Sequence, residues 1–123
     1  MKTIIILVFF FSLLNPKNHS NDLFGTWECY HKELEDGTTK STDFDGNEFE
    51  YTCEGLIELK SDFTGSESIG GINFEYEIND SILKLGNRNY IIEKLTKTDL
   101  VIRDYNSDGN NISNFRQKFK KIE

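Results

Sequence analysis

Ile72-Asn73-Phe74-Glu75-Tyr76-Glu77-Ile78-Asn79 alternates apolar and polar side chains without a break. Successive side chains of a β-strand point to opposite faces. Ile72, Phe74, Tyr76 and Ile78 are therefore predicted to face a core, and Asn73, Glu75, Glu77 and Asn79 to face water. A sheet with one wetted face gives this pattern, and such sheets are antiparallel. Gly70-Gly71 before the stretch and Asn79-Asp80 at its end have the chemistry of tight turns.

The same rhythm runs outward in both directions. Downstream, strands are predicted over 81–85, 89–95, 100–105 and 112–122, the last with Phe115 and Phe119 on one face. Gly86-Asn87, Lys97-Thr98-Asp99 and the polar stretch 106–111 separate them. Upstream, a short strand over 66–69 follows a turn at Ser61-Asp62-Phe63-Thr64-Gly65. A firmer strand over 53–60 turns Ile57 and Leu59 inward. The first strand, 25–32, places Trp27, Cys29 and His31 on one face and Glu28, Tyr30 and Lys32 on the other. Residues 40–51 are acidic and irregular, a long loop or a weak edge hairpin around Asp45-Gly46-Asn47. This makes about eight strands joined by short connections. No segment is long enough for a crossover helix, so parallel βαβ units are excluded. An open sheet would expose two edges, and closure removes them. The prediction is an all-β, antiparallel up-and-down β-barrel of about eight strands, whose interior holds side chains or one small ligand.

The chain begins differently. Lys2 precedes an unbroken apolar run from Ile4 to Phe11, extended by Leu13 and Leu14. This is the pattern of a secretory signal peptide, and it is too short to span a bilayer as a helix. We assign residues 1–20 to the signal and 21–123 to the barrel domain, with cleavage between Ser12 and Asn21. Secretion or periplasmic residence is the expectation. No Cys follows the run, so lipid modification of the new N-terminus is not indicated. The formal charge is −7, and removing Lys2 and Lys17 takes it to about −9. So acidic a domain repels nucleic acid and anionic lipid, which excludes both as main partners. About 100 residues remain, enough for one modest core, and a monomer is expected.

Cys29 and Cys53 both lie in the exported part. Outside the cytosol such a pair is usually a disulfide, and both side chains have core-facing parity. Closing this loop would stabilise the fold by about 3 kcal/mol in the chain-entropy model. A redox or metal pair would need a CxxC spacing or a His cluster, and neither is present.

Leu23-Phe24-Gly25-Thr26-Trp27 resembles the G-x-W opening of lipocalins and lipocalin-like domains. The resemblance implies that Gly25 and Trp27 are structural, with Trp27 packed across the closed end of a barrel. The stretch from Cys53 to Gly65, with Ser61-Asp62-Phe63-Thr64-Gly65 at its end, is similar to the second strand and turn of small bacterial lipocalin-like domains. Leu100-Val101-Ile102-Arg103-Asp104 and the aromatic-basic stretch from Asn114 to Lys121 fit the same group. The resemblance covers nearly all of residues 23–123. The chain departs from full lipocalins in its shorter length and in having no room for a helix after the barrel.

Three functional readings compete. In the first, the barrel holds a small hydrophobic ligand, with Ile57, Leu59, Phe74, Tyr76, Leu83, Ile92, Ile102 and Phe115 as lining residues and the Tyr76 hydroxyl as its polar handle. The plain alternative is that these side chains fill the interior. In the second, the protein is a protein-binding or inhibitor module of the cell envelope. Its surface would be the 40–51 segment, where Asp43, Asp45, Glu48 and Glu50 interleave with Phe44, Phe49 and Tyr51. In the third, Asp104-Tyr105-Asn106-Ser107-Asp108-Gly109 begins a calcium loop. Phe115 then stands where the closing Glu should be, and the same residues suit a hairpin turn. No metal and no cofactor are therefore assigned. An enzyme is not expected. His31 is the one His of the folded part, no G-x-S-x-G is present, and Glu75 and Glu77 lie on a wet face. Asn111-Ile112-Ser113 is a glycosylation sequon that matters only in a eukaryotic source.

Overall fold

In the computed structural model, which describes residues 19–105 and 114–122, Ile72–Asn79 is a strand over its whole predicted length. Three of its four apolar side chains pack inward, while Ile72, at the strand's start beside the Gly70-Gly71 turn, is 52% exposed. Phe74 lies opposite Gly65, Tyr76 opposite Leu85, and Ile78 opposite Leu83. The chain runs α1 (His19–Leu23), β1 (Gly25–Leu34), β2 (Lys40–Thr42), β3 (Glu48–Glu50), β4 (Leu56–Leu59) and β5 (Thr64–Glu67). It continues through β6 (Ile72–Asn79), β7 (Ile82–Leu85), β8 (Arg88–Leu95), β9 (Asp99–Asp104) and β10 (Phe115–Lys121).

Strands β4 to β10 pair in sequence order, all antiparallel, and β1 closes the ring between β10 and β4. Eight strands thus form the closed up-and-down barrel that the alternation predicts, compatible with a calycin-like fold. Closure leaves no long edge for another chain to extend. The short pair β2–β3 stands apart as a separate hairpin. Residues 40–51 therefore take the hairpin form of the two left open. Asp43 organises its turn, accepting from the backbone N–H of Asp45 and of Asn47.

Three local differences from the alternation have physical causes. β5 starts at Thr64 and contains Gly65, because the preceding turn closes early. Phe63 takes a left-handed φ of 65°, its N–H donates to the Lys60 carbonyl, and Asp62 accepts from both the N–H and the hydroxyl of Thr64. β4 starts only at Leu56, because Gly55 turns the chain with φ 87°. β1 carries a bulge between Cys29 and His31. The extra residue reverses the parity, since each face is read with period two. His31 pairs with Lys118 and shares the outer wall with Glu33, not the inner face with Trp27 and Cys29.

Cys29 and Cys53 form a disulfide, with Cα atoms 5.8 Å apart. The bridge has a topological role. β1 pairs with β4 only from Gly25 to Glu28, so above that level the two strands diverge. The disulfide ties the divergent stretch back to β1, beside a backbone bond from Cys29 N–H to the Gly55 carbonyl. It is consistent with an oxidising, extracytoplasmic location. The predicted signal segment up to residue 18, the calcium-like stretch from Asn106 to Gly109, the sequon and the predicted strand start at 112–113 lie outside the described residues.

Candidate functional site

The barrel interior divides into a packed end and an open end. At the packed end α1 lies across the barrel, and Leu23 and Trp27 are both fully buried. Trp27 Nε1 donates to the Leu23 carbonyl at 2.8 Å. Lys121 holds the same corner, donating to the Asp22 carbonyl with its ammonium 4.9 Å from the Trp27 ring centre. Leu59, Tyr76, Leu83, Leu100 and Phe119 complete this core. The Tyr76 hydroxyl donates to the Lys60 carbonyl. Burial, helped by the Asp62 charge, pushes its pKa up to about 12. The hydroxyl is thus committed to the fold.

The other end is bounded by the β5–β6 turn, the β7–β8 turn and the chain between β1 and β4. There a partly open pocket of about 210 Å³ remains. Its apolar wall is Leu56, Ile57, Ile69, Leu85 and Ile102, and its polar wall is Glu54, Glu67, Arg88, Tyr90 and Gln117. The register explains the mixture. Ile57 lies opposite Glu67, Leu85 opposite Arg88, Tyr90 opposite Asp104, and Ile102 opposite Gln117. The inward parity of the strands therefore continues to the open end, while the residue types on it change from apolar to polar. About ten non-hydrogen atoms fit such a volume, which is below the usual range for drug-sized ligands.

The polar groups are coupled. Arg88 reaches from β8 to Glu67 on β5, past the two intervening strands, and forms an ion pair with it. Burial alone would lower the Arg88 pKa, but the Glu67 hydrogen bond and the charges of Tyr90, Glu67 and Asp104 outweigh it, so it is raised. Tyr90 is only 7% exposed. Burial raises its phenol pKa, with Arg88 opposing and Asp104 and Glu67 reinforcing. Asp104 accepts the backbone N–H of Phe115 at 3.0 Å.

The residues predicted to line a ligand site are split between the two ends. Ile57 and Ile102 line the open-end cavity. Leu59 and Leu83 are buried in the core, and Tyr76, buried with them, also borders the groove on which Phe74 lies. Phe74 lies over Gly65 and borders a wide, open groove of about 870 Å³ that also takes in the outer side chains Asn73, Glu75 and Lys84. Ile92 borders a separate depression of about 350 Å³ beside the β6–β7 turn. Phe115 sits near the open end, with the Tyr51 ring 5.0 Å away and the Lys32 ammonium 4.3 Å from its centre. Leu85 and Tyr90 have the same alternation signal as Leu83 and Ile92 and were within reach of it. Glu67, Arg88 and Gln117 were not, because a polar residue in an alternating strand reads as outward-facing.

Two further surfaces bear on function. On the β2–β3 hairpin, Phe44 is fully exposed and Phe49 partly so, among Asp43, Asp45, Glu48 and Glu50. Tyr51 folds back onto Phe115. On the outer wall, Arg116 bridges Glu33 and Glu93, and Arg103 bridges Glu93 and Glu35. His31 joins this network through Glu33 at 2.8 Å. Among the described residues no group of three or more His, Cys, Asp or Glu side chains is arranged to hold a metal ion.

The chain matches no protein-family model, and no curated protein and no solved structure is significantly similar to it.

Proposed function

We propose that the protein is an extracytoplasmic, lipocalin-like binding protein that takes a small hydrophobic ligand into the open end of its barrel, and that it is not an enzyme. The reading rests on one observation above the others. At its open end the barrel keeps a partly open pocket of about 210 Å³, walled on one side by the apolar core residues Ile57, Leu85 and Ile102. Interiors are normally close-packed, so a cavity fitted with both apolar and hydrogen-bonding groups suits an occupant. The disulfide and the apolar N-terminal run support export. The G-x-W opening and the barrel topology together support a lipocalin-like relationship.

Native mass spectrometry of the protein purified from its own host, followed by denaturing extraction, tests the proposal. A bound molecule of about ten non-hydrogen atoms is the expected result. A bare protein mass from every preparation would contradict it.

A second reading is favoured by Phe44. A fully exposed aromatic at a hairpin tip is a natural anchor for a partner protein. In that case the barrel serves as a scaffold, and the hairpin engages an envelope or secreted partner. Replacing Phe44 would then abolish capture of that partner, while occupancy of the barrel would be irrelevant.

A further inference from the structure

We propose that the β2–β3 hairpin docks onto a protein whose contact surface is basic and carries an apolar pocket for Phe44. The inference rests on the reading in which the hairpin binds a partner, and adds that partner's chemistry to it.

The hairpin is a sheet without a cover. β2 and β3 pair with each other and with no barrel strand. All three residues of β3 are exposed. Phe44 at the tip is fully exposed, and Phe49 is 45% exposed. A lone two-stranded hairpin is marginally stable in water. This one is braced from a single side. Phe49 meets the Tyr51 ring edge-on at 5.9 Å, and Tyr51 meets Phe115 at 5.0 Å. Phe115 lies opposite Leu34, where β10 begins and β1 ends, so the brace fixes the hairpin beside the open end of the barrel. Ser41 pairs with Phe49, which places Phe49 on the braced face and Glu48 and Glu50 on the other.

The distribution of charge identifies what covers this sheet. Residues 35–54 hold seven carboxylates and one lysine, a net −6 of the chain's formal −7. The rest of the chain is close to neutral, and on the barrel Glu33, Glu67, Glu93 and Asp99 are each paired with an Arg or Lys. On the hairpin Glu48 is paired with Lys40 at 3.3 Å. Among the described residues Asp43, Asp45 and Glu50 have no basic side chain in ion-pair contact. An anionic surface, or a second copy of this chain, would set like charges against the hairpin. A basic surface is attracted, and the attraction strengthens as the contact closes and water leaves. Phe44 supplies what charge alone does not, an aromatic anchor that is buried only in the complex.

The test uses the wild-type protein, Phe44→Ser and the double variant Asp45→Asn/Glu50→Gln. Each captures extracytoplasmic proteins of the native host, and each captured protein is identified by mass, purified and titrated against all three. All the substituted side chains are exposed, so the three proteins should share one melting curve. The expected result is a basic protein held by the wild type and lost with Phe44→Ser, dissociating about tenfold faster from that variant. Its association with Asp45→Asn/Glu50→Gln should be several-fold slower than with wild type at low salt, and the gap should close at high salt. A Phe44-dependent partner that is acidic, or whose binding responds neither to salt nor to the double variant, would overturn the charge assignment and leave the hairpin reading intact. If no captured protein depends on Phe44, both are overturned.

Discussion

Gly65 has no room for a side chain. A Cβ there would stand 2.6 Å from the Glu58 carbonyl oxygen and 2.7 Å from the Phe74 ring. Its backbone must therefore stay bare for Phe74 to cross it, although in the sequence Gly65 looks like the end of a turn. Gly65→Ala should destabilise the protein by about 1–3 kcal/mol, measured as a lower urea midpoint. Arg116 has the opposite character, a polar residue whose partners alone reveal its importance. Its hydrogen bonds are the leading cause that holds the Glu33 and Glu93 carboxyls below the ordinary value of 4.5. A folded-state pKa below the unfolded one stabilises above the unfolded value, and that contribution is lost as pH falls through the folded value. Arg116→Gln should therefore destabilise by about 1–2 kcal/mol at neutral pH. The gap between variant and wild type should close as pH drops below 4.5, which urea midpoints across that range will show. No alternation rule marks Arg116, because a three-way ion pair across β1, β8 and β10 needs the register to be known.

At the scale of elements, most strands were legible and their irregularities were not. Ile72–Asn79 is legible over its whole length, because its apolar residues are large and every intervening residue is polar. The bulge in β1 had no signal. Cys29, Tyr30 and His31 all fit a strand, and only pairing with β10 shows the extra residue that turns His31 outward. The Cys29–Cys53 bridge was legible from redox compartment and parity, and it secures the seam where β1 and β4 part. Replacing both cysteines with serine should lower stability by about 3 kcal/mol, the loop-closure contribution, measured by urea unfolding against the oxidised wild type. The β2–β3 hairpin should behave differently, since it pairs with no barrel strand. Phe44→Ser should change stability by less than about 0.5 kcal/mol in the same assay.

For the whole molecule, the fold class followed from the absence of helical periodicity and the number of alternating runs. The division of the barrel did not. Packed and open ends use the same inward parity, and side-chain volumes alone do not say which layer stays empty. Tyr76 and Tyr90 illustrate the limit. Both are inward-facing tyrosines on strands, yet Tyr76 is bonded to Lys60 in the packed end, while Tyr90 lines the cavity beside Arg88. Their roles depend on which strand end each lies near, and that follows from closure. The cavity is the feature on which the proposed function stands. The most direct measurement is a crystal structure of the protein purified from its native host, without added ligand. Density for a small molecule between Ile57, Tyr90 and Ile102 is the predicted result. A cavity holding only water, or a ligand bound elsewhere on the barrel, would contradict the account.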